Sequence, residues 1–235
     1  MNLSNADFGR LSVGPDLVSD GLILYLDAAS QKSYVSGSTW TDMSKAGNNF
    51  NIVGSPTHQG KYFELDGTVS KYFQANPFAH PVNDFTIELF LRIDVFNQTA
   101  LYSYAVTGDD NEGLLYAPGG LIYVYGPSGG QSTGYTLAED VFHQVVRTRV
   151  KSSGQEKVYV NGELVATFTI AANTATASGG SFVIGQEQDS VGGGFEANQA
   201  MNGDVSIVKI YNRAITASEV ATNYKDMQAR FFQGV

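Results

Sequence analysis

Between Phe85 and Ile93 the chain follows the two-residue period of a strand: Ile87, Leu89, Leu91 and Ile93 fall on one side, Glu88, Phe90 and Arg92 on the other. That pattern predicts a single core-facing side. Gly21-Leu22-Ile23-Leu24-Tyr25-Leu26 is a continuous apolar run suited to a buried strand. In 157–165 two alternating runs flank Asn161-Gly162, a pair that favours a type I′ hairpin turn because both turn residues need positive φ. Further strands are expected at 100–106, 113–117, 121–125, 141–150, 181–185 and 204–211.

One segment changes period. Thr216-Ala217-Ser218-Glu219 forms a capping box, and Val220, Tyr224, Met227 and Phe231 follow at helical spacing, predicting a helix over 217–230 that packs on the strands. Ser30 to Gly60 is rich in Ser, Gly and Asn and reads as long surface loops, with the lone tryptophan, Trp40, as a packing anchor. Residues 1–20 form a polar arm with too few apolar positions for a core of their own, so docking against a neighbouring subunit or larger particle is expected. Residues 21–235 then make one domain. The pattern predicts an all-β, two-sheet antiparallel sandwich with one short C-terminal helix.

Composition narrows the function. Only 14 Lys and Arg residues stand against 23 Asp and Glu, a net charge of −9, which disfavours nucleic acid as a partner. Cysteine is absent, which excludes disulfides and thiolate metal sites. No apolar run reaches the roughly 18 residues of a membrane span, and no signal peptide is visible, so folding in a reducing cytosol is expected. His58, His80 and His143 lack metal-ligand spacing and read as structural side chains.

The carboxylates gather in two places. After the strand expected to end at Ile184 comes Gly185-Gln186-Glu187-Gln188-Asp189-Ser190-Val191-Gly192-Gly193-Gly194-Phe195-Glu196-Ala197-Asn198-Gln199. In extended chain Glu187 and Asp189 project to the same side, and the three glycines allow an excursion that returns Glu196 and Gln199 toward them. Such an all-oxygen cluster suits Ca²⁺, which takes about six to eight oxygens in a flexible cage. A second acidic segment, Asp109-Asp110-Asn111-Glu112, is expected as a loop between strands.

Residues 182–208 resemble the second calcium loop of the pentraxins: Ile184 to Ser190, Phe195-Glu196, Gln199 and Gly203-Asp204 fall in that family's order. Asp110-Asn111-Glu112, preceded by Tyr102-Ser103-Tyr104-Ala105, resembles the family's first calcium loop. The resemblance implies two adjacent Ca²⁺ ions. Asp110, Asn111, Glu187, the Gln188 carbonyl and Asp189 would hold one; Glu187, Asp189, Glu196 and Gln199 would hold the other. The carboxylates of Asp110, Glu187, Asp189 and Glu196 would balance two divalent ions. Tyr116 stands where the family places an aromatic residue near its ligand, although core packing explains it equally well. The resemblance covers about 84–223 and departs at His143-Gln144-Val145-Val146-Arg147-Thr148, which keeps only the histidine of a cysteine-containing signature, and at Glu88, where the disulfide partner would be.

The outer segments Trp40-Thr41-Asp42-Met43-Ser44, Phe63-Glu64-Leu65-Asp66-Gly67 and Lys209-Ile210-Tyr211-Asn212-Arg213-Ala214 are similar to laminin G-like domains, and the C-terminal end to those of tailed-phage virion proteins. Together the resemblances imply a concanavalin A-like jelly roll. The expected function is a calcium-dependent, lectin-like module that binds a cell-surface glycan or small anionic ligand on a homo-oligomeric phage virion protein, or otherwise outside the cell. Two alternatives stand beside it: a structural virion protein that contacts other subunits and uses calcium as a staple, and a glycoside hydrolase. The hydrolase reading is disfavoured because Gly192 stands where the sandwich-fold glucanases place the last Glu of Glu-x-Asp-x-x-Glu.

Overall fold

The computed structural model describes residues 17–231, with side chains through residue 228. The expected arm therefore lies almost wholly outside the described residues, as does the side chain of Phe231. In chain order the strands are β1 (Leu22–Asp27), β2 (Thr39–Trp40), β3 (Phe50–Val53), β4 (Thr57–His58), β5 (Phe63–Asp66), β6 (Tyr72–Phe78), β7 (Phe85–Val95) and β8 (Gln98–Val106). There follow β9 (Asp109–Pro118), β10 (Leu121–Gly126), β11 (Gly129–Thr136), β12 (Phe142–Val150), β13 (Gln155–Val160), β14 (Glu163–Thr169), β15 (Gly180–Ile184), β16 (Asn202–Tyr211) and the helix α1 (Ala217–Phe231).

These strands form two antiparallel sheets. A helix-backed sheet runs β14-β13-β12-β7-β16-β5-β4, with β1 also on β16; an open sheet runs β11-β10-β9-β8-β15-β6-β3-β2. Between them lies one core that includes Leu26, Phe63, Phe73, Leu89, Leu91, Tyr102, Leu115, Phe182 and Val208. Trp40 is fully buried there, its ring 5.0 Å from Phe63 and 4.9 Å from Phe73. The Asn161-Gly162 turn forms as expected, with φ of 53° and 83° joining β13 to β14.

Three expectations need correction. The stretch from Ser30 to Gly60 contains β2, β3 and β4, short strands without enough alternation to announce themselves. The Asp109–Glu112 segment is not a loop but the start of β9, entered through a tight turn at Thr107-Gly108. Strand β7 is buried on both faces from Phe85 to Leu91, because α1 lies over its outer side. Val220 packs there with Val146, Tyr159 and Tyr211, and Met227 with Phe90 and Ile207. The capping box is present: Thr216 N donates to Glu219 Oε2 at 2.7 Å, and Glu219 N to Thr216 Oγ1 at 3.3 Å.

A buried polar tie joins the sheets. Arg147 on β12 pairs with Glu156 on β13 and crosses the core to donate to the Tyr102 hydroxyl and the Tyr125 carbonyl, each at 2.8 Å. Arg147 holds both oxygens of Glu156, and Arg149 Nη1 donates to Oε1 as well, so one carboxylate serves two guanidinium groups. The tie fixes β10, and Tyr125 with it, against the opposite sheet.

Candidate functional site

The site lies on the outer face of the open sheet, where the loop that follows β15 meets the first half of β9. Strand β15 pairs with β8 on one side and β6 on the other, so Ile184 delivers the chain in fixed register opposite Tyr102. Beyond it the amide side chains anchor the loop. Gln186 Nε2 donates to Thr68 O at 3.0 Å, and the main-chain carbonyl of Gln186 accepts Ser103 Oγ at 2.8 Å. Gln188 Nε2 donates to Ser103 O, Ser103 Oγ and Ser181 O, while its Oε1 accepts Gly192 N at 2.8 Å. Gln188 is fully engaged by the scaffold and Gln186 through its Nε2 and main-chain carbonyl, its Oε1 having no partner among the described residues, and this sends the intervening Glu187 and the following Asp189 to the other side.

The return of the loop is equally constrained. Ser190 and Gly193 exchange main-chain hydrogen bonds, and Gly194, at φ 76°, passes so close to Asp189 that a Cβ there would stand 2.7 Å from the aspartate's own. Glycine is required at that position both for its conformation and for the space. Gln98 N and Ala100 N then bind the carbonyls of Asn198 and Gln199. On the facing strand Asp109 Oδ1 accepts Asn111 N, and Asn111 Nδ2 donates to Asp110 Oδ1, both at 2.9 Å. That last bond leaves Asn111 Oδ1 available as an acceptor.

The result is a cavity of about 260 Å³ lined by Asn111, Leu114, Tyr116, Tyr125, Glu187, Asp189 and Gln199. Glu187 is 4% exposed, and its Oε2 is buried with no hydrogen-bond partner among the described residues; the same holds for Gln199 Oε1. Burial pushes the Glu187 carboxyl up to about 7, and the negative charges of Asp189, Asp110 and Glu196 push in the same direction. Glu187 thus feels three other carboxylates, one of them from the distant β9 segment. Among the described residues no three Asp, Glu, His or Cys side chains stand close enough to cage a metal by themselves. Amide and main-chain oxygens would have to complete any shell, and Gln199 Oε1 is an unsatisfied oxygen of that kind. Hard-cation chemistry fits this donor set, which offers oxygens only.

All seven residues expected to hold calcium belong to these two segments. Glu196 is exposed at the rim, and the Gln188 side chain is occupied elsewhere, which leaves its carbonyl as its contribution. Tyr116 lines the cavity, and its hydroxyl donates to Gln98 Oε1 at 2.6 Å, so it is not a core residue. Sequence reasoning missed Leu114 and Tyr125, which stand directly opposite each other in the β9–β10 register beside Tyr116 and Tyr123. Aligning the two strands through their shared hairpin at Gly119-Gly120 would have revealed that aromatic face.

A family model for the concanavalin A-like lectin/glucanase superfamily matches residues 65–221. The chain belongs to this superfamily. Human pentraxin-4 is 34% identical over 128 residues, which make up 52% of this chain and 27% of that protein. Rat C-reactive protein is 27% identical over 146 residues, 61% of this chain and 63% of that one. This lectin/glucanase-type chain thus matches less than two thirds of either relative. A heptameric pentraxin from Limulus polyphemus superposes with a TM-score of 0.57 at 22% identity, covering 74% of this chain and 81% of the pentraxin, a likeness of fold alone.

Proposed function

We propose that this lectin/glucanase-type domain is a calcium-dependent binding module for a carbohydrate or small anionic ligand. One observation carries the reading: Glu187 is a buried carboxylate with an unpartnered oxygen, in electrostatic reach of Asp110, Asp189 and Glu196, at the wall of a tyrosine-lined cavity. Asp110, Asn111, Glu187, Asp189 and the Gln188 carbonyl would hold one ion, and Glu187, Asp189, Glu196 and Gln199 a second. Bound calcium would supply positive charge that attracts hydroxyl or phosphate oxygens. The chain's own part is to orient the oxygens and to offer Tyr116, Tyr125 and Leu114 as a partly apolar wall.

Binding is favoured over catalysis because glycoside cleavage needs an acid and a second carboxylate flanking the scissile bond, and Gly192 replaces the last acidic position of the glucanase pattern. Homo-oligomerisation and a virion setting remain part of the proposal on the strength of the sequence resemblances, and attachment through residues 1–20 on the scarcity of apolar residues in that segment. A structural reading, with calcium as a loop staple, is the competitor.

Calorimetry with CaCl₂ tests the metal directly. Saturable binding at micromolar to millimolar calcium is expected, weakened by Asp189→Asn and Glu187→Gln and untouched by His143→Ala on the other sheet. Ligand excess of a hundred times Kd raises stability by about 2.7 kcal/mol, seen as a higher melting temperature, and Mg²⁺ should do less. No heat and no melting shift at millimolar calcium would end the proposal.

A further inference from the structure

The helix-backed sheet buries a second polar cluster, on the face opposite the calcium-type site. Glu88 and Lys209 stand directly opposite each other in the β7–β16 register, and with Asn223 of α1 all three are at most 1% exposed. Asn223 Nδ2 donates to Glu88 Oε2 at 2.7 Å and to the Tyr211 hydroxyl at 3.0 Å. Lys209 Nζ lies 3.8 Å from the other oxygen, Glu88 Oε1, and 5.6 Å above the Tyr25 ring. Gln144 Nε2 holds Oε1 at 2.8 Å. Among the described residues neither Lys209 Nζ nor Asn223 Oδ1 has a hydrogen-bond partner. An amine and a carboxamide thus bracket the two oxygens of one carboxylate, under an apolar lid of Val220 and Met227.

We propose that Lys209 and Asn223 join in an isopeptide bond, with Glu88 as the proton carrier, so that β16 is covalently stapled to α1. A buried lysine without a hydrogen bond is costly, whereas the amide that replaces it carries no charge. The amine becomes a nucleophile once Glu88, the carboxylate beside it, has taken its proton. Lys209 Nζ attacks Asn223 Cγ; the Nζ–Cγ bond forms and the Cγ–Nδ2 bond breaks. Glu88 takes up a proton from Nζ and hands that same proton to Nδ2, and does so twice in turn. Two protons of the lysine ammonium leave with the departing nitrogen, so one ammonium ion is released and Glu88 ends as it began. No oxidant or cofactor is needed, and holding the groups in one fold makes the step intramolecular. In a chain without cysteine, such a bond would do what a disulfide does elsewhere.

Mass spectrometry of the full folded chain tests this without any variant. The intact mass should fall short of the sequence mass by one ammonia. Succinimides at Asn161-Gly162 or Asn202-Gly203 would lose the same ammonia, so the deciding observation is a denaturing tryptic digest. There, cleavage after Lys209 should fail, and the 158–213 peptide should be branched to 214–225. Glu88→Gln should restore the full mass and the cleavage, while Asn223→Asp should lose water instead and reach the wild-type final mass. Recovery of Lys209 and Asn223 in separate wild-type peptides would overturn the proposal and leave an ordinary buried ion pair.

Discussion

The side-chain carbonyl of Gln188 accepts the main-chain N–H of Gly192 at 2.8 Å, closing the acidic loop on itself four residues downstream. The other end of the same amide grips Ser103 and Ser181 on two neighbouring strands. One neutral side chain therefore ties the segment carrying Glu187 and Asp189 to the open sheet. Gln188→Ala should leave these buried partners unsatisfied and cost about 1–3 kcal/mol of stability. Calcium affinity should fall at least tenfold, although no expected side-chain ligand is removed. Chemical denaturation and calorimetry measure the two effects, and wild-type affinity in the variant would show that the loop holds its shape without this anchor.

The raised Glu187 carboxyl gives the metal-free fold a defined pH response. Its folded value of about 7 lies above the ordinary 4.5, so the folded state holds this proton over a window where the unfolded chain has lost it. Its contribution to stability is therefore fully present below about pH 4.5 and is lost as pH rises toward 7. Calcium needs the ionised form, so the opposite trend is expected of binding: affinity should climb from pH 5.5 to pH 8. The gap between melting temperatures with calcium and with chelator should widen over that range, and Glu187→Gln should flatten the response of the metal-free protein. A gap that stays constant with pH would assign the coupling to other groups.

How far the fold was legible depends on what each residue faces. Ile87, Leu89, Leu91 and Ile93 announced their strand because the core covers that side completely. Glu88 and Phe90 on its other side looked like solvent positions, and only the docking of α1 buries them. Strand β11, whose sequence is Gly-Gly-Gln-Ser-Thr-Gly-Tyr-Thr, is mostly exposed and carries no apolar period to read. Asp109 to Glu112 has the composition of a loop, yet the backbone pairs as a strand, because a two-residue turn at Thr107-Gly108 suffices to reverse the chain. The oxygen donors of the site were visible as residue types at a familiar spacing. Their supports were not: Gln188 reaches Ser103 across 85 positions, a contact that only the folded register creates.

Tyr125 depends on a residue of the opposite sheet. Its carbonyl accepts Arg147 Nη1, which also donates to the Tyr102 hydroxyl, and both guanidinium and Glu156 are buried. Tyr102→Phe should cost about 1–2 kcal/mol by removing one partner of a charged donor. Glu156→Gln should cost more, about 3–5 kcal/mol, because it strands Arg147 and Arg149 without their shared counter-charge. Urea denaturation at neutral pH separates the two, and equal losses would mean that the guanidinium groups find other partners.

The tyrosine wall decides between a ligand-presenting site and a staple. Tyr116 and Tyr125 line the cavity beside Glu187, Asp189 and Gln199, but neither is an expected metal ligand. If calcium only braces the loops, replacing both rings should change nothing beyond packing. If the ion presents a ligand, the rings supply the apolar contact that accompanies its oxygen contacts, and each loss should weaken ligand binding about tenfold, roughly 1.4 kcal/mol. Tyr116→Ala carries a complication, since its hydroxyl bonds Gln98 and also contacts the Gln199 side chain. Tyr116→Phe is the control: it removes those bonds and keeps the ring. A glycan array and a phosphate-ester panel, screened with calcium and with chelator, supply the ligand; Tyr125→Ala then gives the cleaner test. Retained calcium affinity with lost ligand binding would establish the lectin-like role. No calcium-dependent ligand on either panel, with calcium still bound, would favour the staple.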